Sequence, residues 1–397
     1  MNKISIIDGI MRDFVERTGL EGEGKKSQRY LWTDAFAVCN FLELFQQTGE
    51  EYYLKKALDL VDEVHHILGR HREDDRRSGW ISGLDEQEGA VHPCIGGLRI
   101  GKRLNERKET EAYDEYLEWE QDGQYFHYLT KWMHALSRVT QVTGNQRYNR
   151  WAIELAKAAH LKFSYTLQGH AEKRLYWKMS IDLSRPLVSS MGQHDALDAF
   201  ITYHELATTA ANDRERSEEV CLSTEIVEAL SMCHNMHWLT DDPLGIGGLL
   251  SDACRATQLI ANGSLEEEEM LLKMLHAAKE GLEAFLHVET LSSPREFRLA
   301  FRELGLSIGL AAIQKIRRKI QENPDRFVDT ERFYLLLDEL NPYLHLHEAV
   351  NNFWLAPENQ KNTLWRDHSD INSVMLATSF APDAYLNVFR EKRVTDD

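Results

Sequence analysis

The sequence predicts an all-α protein, an (α/α)6 barrel of six helical hairpins with long loops at one mouth, and three observations support this fold. Glycine and proline are scarce, at 23 and 8 of 397 residues, which favours long helices over many short strands. Apolar residues recur at intervals of three and four, for example at Leu129, Trp132, Met133 and Leu136, and this spacing marks one face of a helix. The third observation is an internal repeat.

The repeat predicts the hairpins themselves. Thr-Gly, followed by Tyr, Ala and Leu at one fixed spacing, occurs at Thr48, Gly49, Tyr53, Ala57 and Leu60 and again at Thr143, Gly144, Tyr148, Ala152 and Leu155. Glycine suits the left-handed position just past a helix C-terminus, so we expect each pair to end an inner helix. The charged helix that follows is expected to pack back on it as an outer helix.

Later inner helices are predicted by the same apolar spacing, over residues 196–206, 249–260 and 299–313, with a sixth hairpin from about His368. We expect residues 1–397 to form a single toroidal domain. Two connections are long, residues 78–121 and the segment before Gln193, and long connections are more often functional than idle.

Composition excludes several classes of function. Lysine and arginine number 46 against 64 aspartate and glutamate residues, a net charge of −18, which disfavours nucleic acid or an anionic membrane as the main partner. No apolar run approaches the ~20 residues of a membrane helix, and residues 1–18 read as an amphipathic helix rather than a secretion signal. Five widely spaced cysteines indicate reduced thiols. We therefore expect a cytoplasmic protein, with no cofactor and no metal; the oligomeric state stays open.

Three segments at the starts of predicted inner helices carry a resemblance to a known superfamily: residues 31–36 (LWTDAF), 122–128 (DGQYFHY) and 193–198 (QHDALD). With the Thr-Gly turns, they make the chain resemble the six-hairpin glycosidase superfamily over nearly its whole length. That superfamily includes glycoside hydrolases, uronyl hydrolases and sugar epimerases. The resemblance implies a small-molecule or oligosaccharide substrate bound at the barrel mouth.

Hydrolysis of a glycoside needs two carboxyl groups, one protonated and one ionised. Asp122 and Asp195 are the leading pair, because each stands at the start of an inner helix, where backbone N–H groups and the helix dipole favour a carboxylate. Each could instead be a simple helix cap. The preferred prediction is a glycoside hydrolase-like enzyme with these two aspartates as acid and base.

Histidines provide the main alternative. His127 and His194 also lie at inner-helix starts and suit proton transfer near neutral pH. The resemblance implies that inner-helix histidines can serve a sugar epimerase or isomerase. A third possibility is a noncatalytic carbohydrate-binding toroid, which would keep its aromatic and arginine contacts without needing either aspartate.

Further side chains are predicted to bind substrate, as stacking surfaces or as hydrogen-bond and charge partners. They are Trp32, Asp34, Trp80, Arg99, Tyr125, Trp177, Lys178, Gln193, His368 and Asp370. For Arg99 and Lys178, pairing with a neighbouring carboxylate such as Glu118 or Asp182 is the competing interpretation. Asp198 follows Asp195 by one helical turn and is expected either to face the same site or to bond a neighbouring helix.

Overall fold

A computed structural model describes residues 2–21, 28–166, 172–211, 221–234, 236–288 and 290–390. The helices are α1 (Lys3–Thr18), α2 (Leu31–Thr48), α3 (Glu51–Leu68), α4 (Glu86–Val91), α5 (Glu115–Glu120), α6 (Phe126–Thr143), α7 (Arg147–Phe163), α8 (Asp195–Ala210), α9 (Ser223–Cys233), α10 (Pro243–Ala261), α11 (Glu268–His287), α12 (Ala300–Glu322), α13 (Thr330–Leu340), α14 (His345–Leu355), α15 (Thr363–Asp367), α16 (Ser369–Phe380) and α17 (Asp383–Leu386). Within these ranges, no helix combines the length and apolarity that crossing a membrane requires.

The chain divides into two compact units, Val15–Met236 on the one hand and Met1–Phe14 with His237–Asp397 on the other. In the Val15–Met236 unit the hairpins are α2 with α3, α6 with α7, and α8 with α9, and the first helices of these pairs pack side by side. This is the predicted order of inner and outer helices. A single domain over the whole chain stays a prediction.

The Thr-Gly turns end α2 and α6 as the repeat predicted. Gly49 and Gly144 both adopt the left-handed conformation, with φ of 75° and 74°. Their N–H groups donate to Phe45 O at 2.8 Å and to Thr140 O at 2.7 Å. Glycine fits these positions because it alone pays no steric penalty for a positive φ, so the repeated turn has a repeated backbone cause.

Short strands lie in the connections before the inner helices. The sequence did not predict them, because it shows no alternation of apolar and polar residues there. They are β1 (Gln124–Tyr125), β2 (Ser164–Thr166), β3 (Lys173–Leu175), β4 (Lys178–Met179) and β5 (Pro186–Val188). Strands β1, β4 and β5 form an antiparallel sheet in which Tyr125 is opposite Lys178. The sheet therefore ties the segment entering α6 to the connection that leads to α8.

In the other unit, glycines bring two helices into backbone contact. A Cβ added to Gly247 of α10 would lie 2.1 Å from the carbonyl oxygen of Gly305 in α12, and one added to Gly309 would lie 2.5 Å from that of Gly247. Helix α12 also packs against α16. Small residues at a crossing let two helices approach more closely than side chains allow.

Candidate functional site

Helices α6 and α8 begin beside a cluster of aromatic rings in the Val15–Met236 unit. The cluster brings together five residues that the sequence predicted for the site, namely Trp32, Tyr125, His127, Trp177 and Asp195. We call these five residues the Asp195 cluster. Tyr125 belongs to β1 and Trp177 directly precedes β4, which pairs with β1. The two rings lie 5.0 Å apart.

Asp195 is the first residue of α8 and is only 5% exposed. Its Oδ2 accepts a hydrogen bond from the N–H of Gly192 at 3.1 Å, and its Oδ1 lies 3.8 Å from Nδ1 of His127. Burial, reinforced by the negative charge of Asp198, raises the pKa of Asp195 to about 7. The carboxyl group therefore changes charge near neutral pH.

His127 is the neutral partner of this carboxyl. Burial lowers the pKa of His127 to about 3, with help from the positive charge of Lys131 and against the charge of Asp198. Its Nδ1 is buried and has no hydrogen-bond partner among the described residues, although a quarter of the side chain is exposed. A buried polar atom without a partner costs free energy, so this nitrogen is suited to a ligand that supplies the missing bond.

Aromatic rings surround the imidazole of His127. Trp177 stacks on it at a centroid distance of 6.0 Å and an angle of 12°, Tyr125 lies at 5.4 Å, and Trp32 meets it edge-on at 6.0 Å. The indole Nε1 of Trp32 is buried and likewise lacks a hydrogen-bond partner in the described part of the chain. Flat apolar faces beside two unsatisfied polar atoms are what a hydroxylated ring compound needs.

Asp198 lies one helical turn beyond Asp195 and bonds to α6. Its Oδ2 accepts a 2.7 Å bond from Nζ of Lys131 and a second bond from the hydroxyl of Thr130. Asp198 therefore bonds a neighbouring helix, as one of the two sequence interpretations expects, and its negative charge also raises the pKa of Asp195. Over the described ranges, no group of three or more His, Cys, Asp and Glu side chains is arranged to hold a metal ion.

Asp122, the predicted partner of Asp195, has very different surroundings. Its Oδ2 accepts from the guanidinium groups of Arg72 at 3.1 Å and Arg99 at 2.9 Å. Its Oδ1 accepts from the backbone N–H of Gly101 at 2.9 Å and of Gly123 at 3.1 Å. The side chain is fully buried. Four donors fix this carboxylate, and they favour a structural role over a reactive one.

Arg99 and Lys178 both take part in ion pairs, the competing interpretation for each. Besides Asp122, Arg99 donates to the carbonyl oxygens of Arg70 at 3.1 Å and Ile67 at 2.9 Å. The buried Nζ of Lys178 lies 2.9 Å from the Glu118 carboxylate. These contacts tie the long connection to its neighbours and favour positioning over substrate binding.

The remaining predicted contacts are spread more widely. Trp80 is 2% exposed and packs under the guanidinium of Arg70, so its faces are covered by protein. Asp34 accepts from the N–H of Tyr30 at 2.9 Å, as a carboxylate in the first turn of a helix can. Gln193 and His194 directly precede Asp195 and reach the surface.

His368 and Asp370 belong to the other unit. His368 is the N-cap residue of α16, and its ring lies 5.5 Å from that of Phe301. The role of His368 and Asp370 in binding substrate stays a prediction.

Two further neighbours of the cluster lie on α6 and were not predicted from the sequence as site residues. The ring of Tyr128 lies 5.3 Å from Trp32 and 4.9 Å from His127, and its hydroxyl is 2.7 Å from that of Tyr30. Lys131 supplies the cation for Asp198. The signal was present, because Lys131 follows His127 by four residues and such residues share a helix face.

The sequence matches no protein-family model and no curated protein. Solved structures match over nearly the whole chain. A GH76 α-1,6-mannanase from Salegentibacter sp. HEL1_6 is 13% identical with a TM-score of 0.50, covering 96% of this chain and 99% of its own. An inactive variant of that enzyme was solved in complex with α-1,6-mannotetrose, with 12% identity, a TM-score of 0.50 and coverage of 98% and 100%.

A GH76 α-mannanase from Bacteroides thetaiotaomicron is 10% identical with a TM-score of 0.50 and coverage of 97% and 96%. A sugar epimerase from a ruminal bacterium aligns at 11% identity with a TM-score of 0.46 over 86% of each chain. The mannanase matches show that the chain has the six-hairpin, (α/α)6 fold. The fold class predicted from the sequence is therefore confirmed.

Proposed function

We propose that the protein is a carbohydrate-active enzyme that moves a proton on the reducing-end sugar of an oligosaccharide and so isomerises or epimerises it. Asp195 is the base and His127 is the acid. One observation carries this proposal: Oδ1 of Asp195 and Nδ1 of His127 lie 3.8 Å apart, within walls formed by Trp32 and Trp177.

The reaction follows from that spacing. In the open-chain sugar, the Asp195 carboxylate takes the proton from C2, and the imidazole of His127, with its proton on Nδ1, donates that proton to the carbonyl oxygen at C1. The C2–H bond breaks, a C1–C2 double bond forms, and an enediol results. When Asp195 returns the proton to C1, His127 takes up the proton of the O2 hydroxyl, and the ketose forms. When the enediol has turned its other face to Asp195, return of the proton to C2, with the O1 proton going back to His127, gives the epimer. The two reacting atoms are neighbours, so the acid and the base must also be neighbours.

The protonation states support the same assignment. A base is most effective when its pKa is close to the working pH, and the pKa of Asp195 is raised to about 7. The pKa of His127 is lowered to about 3, so the imidazole is neutral at physiological pH and acts as a hydrogen-bond donor. Two groups whose pKa values are pushed apart in one cleft are the expected pattern for paired acid and base roles.

Glycoside hydrolysis, the preferred prediction from the sequence, is the second candidate. It is favoured by the raised pKa of Asp195, which keeps this carboxyl protonated below pH of about 7 and able to donate to a leaving oxygen. Hydrolytic carboxyl pairs stand ~5–9.5 Å apart, so His127 at 3.8 Å is too close to be the opposing group. Asp122 has all four of its hydrogen bonds inside the protein, and this weakens it as the second carboxylate.

The test incubates the protein in D2O with a panel of oligosaccharides that includes α-1,6-mannotetrose, the sugar bound in the mannanase complex. NMR then follows deuterium at C2 and the appearance of a new sugar. Incorporation that is lost in His127→Ala and Asp195→Asn supports the proposal. New reducing ends without deuterium identify hydrolysis instead, and binding without either product identifies a noncatalytic toroid.

A further inference from the structure

The row of aromatic rings continues past Trp177 to the protein surface. Trp119, in the short helix α5, contacts Trp177 edge-on at a centroid distance of 5.0 Å and lies 6.4 Å from Tyr125. The exposure of the rings increases in the same direction. Tyr125 is buried, Trp177 is partly exposed, and Trp119 is 44% exposed. The rings thus form a continuous row of contacts from the Asp195 cluster to the exposed ring of Trp119.

Helix α5 is firmly anchored although it has only six residues. Its Asp114 cap accepts from the N–H of Leu117 at 2.9 Å. The buried carboxylate of Glu118, which directly precedes Trp119, bonds to Arg107 at 2.9 Å and pairs with Lys178 at 2.9 Å. A partly exposed tryptophan on an anchored helix is a preformed binding surface rather than a mobile side chain.

Lys178 joins the two tryptophans. It directly follows Trp177 in the chain, and its ammonium group donates to the carbonyl oxygens of Glu118 at 2.7 Å and Gln121 at 2.9 Å. One buried cation therefore holds α5, which carries Trp119, against the segment that carries Trp177. This explains why Lys178 is buried, although the sequence suggested that it binds substrate.

The surroundings of Trp119 indicate the chemistry of the occupant. Glu115 and Glu120 on the same helix are both exposed, so an anionic chain would be repelled at this surface. An exposed aromatic face next to polar groups suits the C–H face of a sugar ring, which buries apolar surface while its hydroxyls stay hydrated. An uncharged oligosaccharide meets both conditions.

We propose that Trp119 and Trp177 form a sugar-binding platform beside the Asp195 cluster, and that the ligand is an uncharged oligosaccharide whose outer sugar lies on Trp119. The assignment of the ligand's reacting end to the Asp195 cluster rests on the proposed function, whereas the platform formed by the two tryptophans does not depend on it. The platform makes the protein selective for oligosaccharides over shorter sugars, because only a chain of several sugars reaches Trp119.

Binding is measured by isothermal titration calorimetry with two tetrasaccharides, α-1,6-mannotetrose and cellotetraose, and with the corresponding disaccharides. In Trp119→Ala the affinity for the tetrasaccharide that binds wild-type protein falls about tenfold, as truncation of an aromatic anchor predicts. Disaccharide affinity stays within about twofold. Trp119→Phe retains most of the tetrasaccharide affinity. The matched control is Tyr116→Ala, because Tyr116 lies on the same helix, is 88% exposed and is outside the ring row.

The outcomes separate this inference from the proposed function. A tetrasaccharide affinity that is unchanged in Trp119→Ala overturns the platform, and so does the absence of binding by either tetrasaccharide. Tetrasaccharide binding that depends on Trp119, in a protein that incorporates no deuterium, supports the platform and refutes the epimerase proposal. Deuterium incorporation together with equal affinity for short and long sugars supports the epimerase proposal and refutes the platform.

Discussion

Asp122 and Asp195 occupy matching places in the repeated architecture and have opposite surroundings. Both precede or begin an inner helix of the Val15–Met236 unit, and both are buried. Asp122 accepts four hydrogen bonds, two of them from guanidinium groups. Asp195 accepts from one backbone N–H, that of Gly192, and lies near the negative charge of Asp198.

The difference shows what position alone cannot decide. A helix start offers any carboxylate the same dipole and similar N–H groups, so position makes Asp122 and Asp195 look equivalent. Cations and donors then stabilise the charge of Asp122 within the protein, whereas burial and a second carboxylate destabilise the charge of Asp195. A proton-transfer group needs the second environment, and a residue that holds loops together needs the first.

The largest expected effect is the loss of turnover in Asp195→Asn. The amide keeps the acceptor for the N–H of Gly192 but can neither take nor give a proton, so kcat falls by about 10²- to 10⁴-fold.

The same substitution is not expected to destabilise the protein at alkaline pH. The pKa of Asp195 is raised in the folded protein, so the free energy of unfolding of the wild type falls as pH rises from about 4 to 7. The variant has no carboxyl group to ionise here, and we expect it to be at least as stable as wild type at a pH of about 8.

Steady-state kinetics and thermal unfolding at several pH values measure both effects in the same preparation. A variant that keeps more than a tenth of the wild-type kcat would remove Asp195 from the reaction.

Asp122→Asn should do the reverse and cost stability first. It leaves Arg72 and Arg99 without their shared anion, and breaking a buried ion pair from one side costs about 3–5 kcal/mol. Chemical denaturation at neutral pH measures this loss. The kcat of the folded fraction should stay within about threefold of wild type, a change too small for a lost acid or base. A kcat loss equal to that of Asp195→Asn, with stability intact, would restore Asp122 as a catalytic carboxylate.

The pH profile sharpens the role of Asp195. If Asp195 is the base, kcat/KM rises as pH passes about 7, because the carboxylate must be ionised; if it is a hydrolytic acid, kcat/KM falls over the same interval. Asp198→Asn removes a negative charge that raises the pKa of Asp195, so the midpoint moves down by about one unit. Asp59→Asn on α3, where Asp59 pairs with Lys55, is the control and leaves the midpoint in place. An unshifted midpoint in Asp198→Asn would show that the two carboxyls are not coupled.

The sequence predicted the fold well because the fold rests on local signals. Gly49 and Gly144 mark helix ends by a backbone conformation that few other residues adopt, and the apolar spacing marks the helix faces. The sequence also predicted the five residues of the Asp195 cluster as site residues, because four of them lie at or directly before the start of an inner helix and Trp177 lies in a long connection.

What it did not predict depends on contacts between distant segments. Arg72 lies fifty residues before Asp122 in the chain, and no local sequence pattern predicts their ion pair. The pKa of Asp195 depends on its burial in the folded protein. Strands of two residues such as β1 are too short to show an alternation of apolar and polar residues in the sequence.

The smallest expected effect separates two roles for Arg99. Arg99→Lys keeps the charge but cannot reach Asp122 and the carbonyl oxygens of Arg70 and Ile67 together, because an ammonium lacks the planar fork of a guanidinium. Stability therefore falls by about 1 kcal/mol, and KM for the oligosaccharide stays unchanged. A double-mutant cycle with Asp122→Asn should show coupling, since the second change removes a partner that the first has already weakened. A raised KM with additive stabilities would instead place Arg99 on the substrate, as the sequence predicted, and would make the Asp122 region part of the binding site.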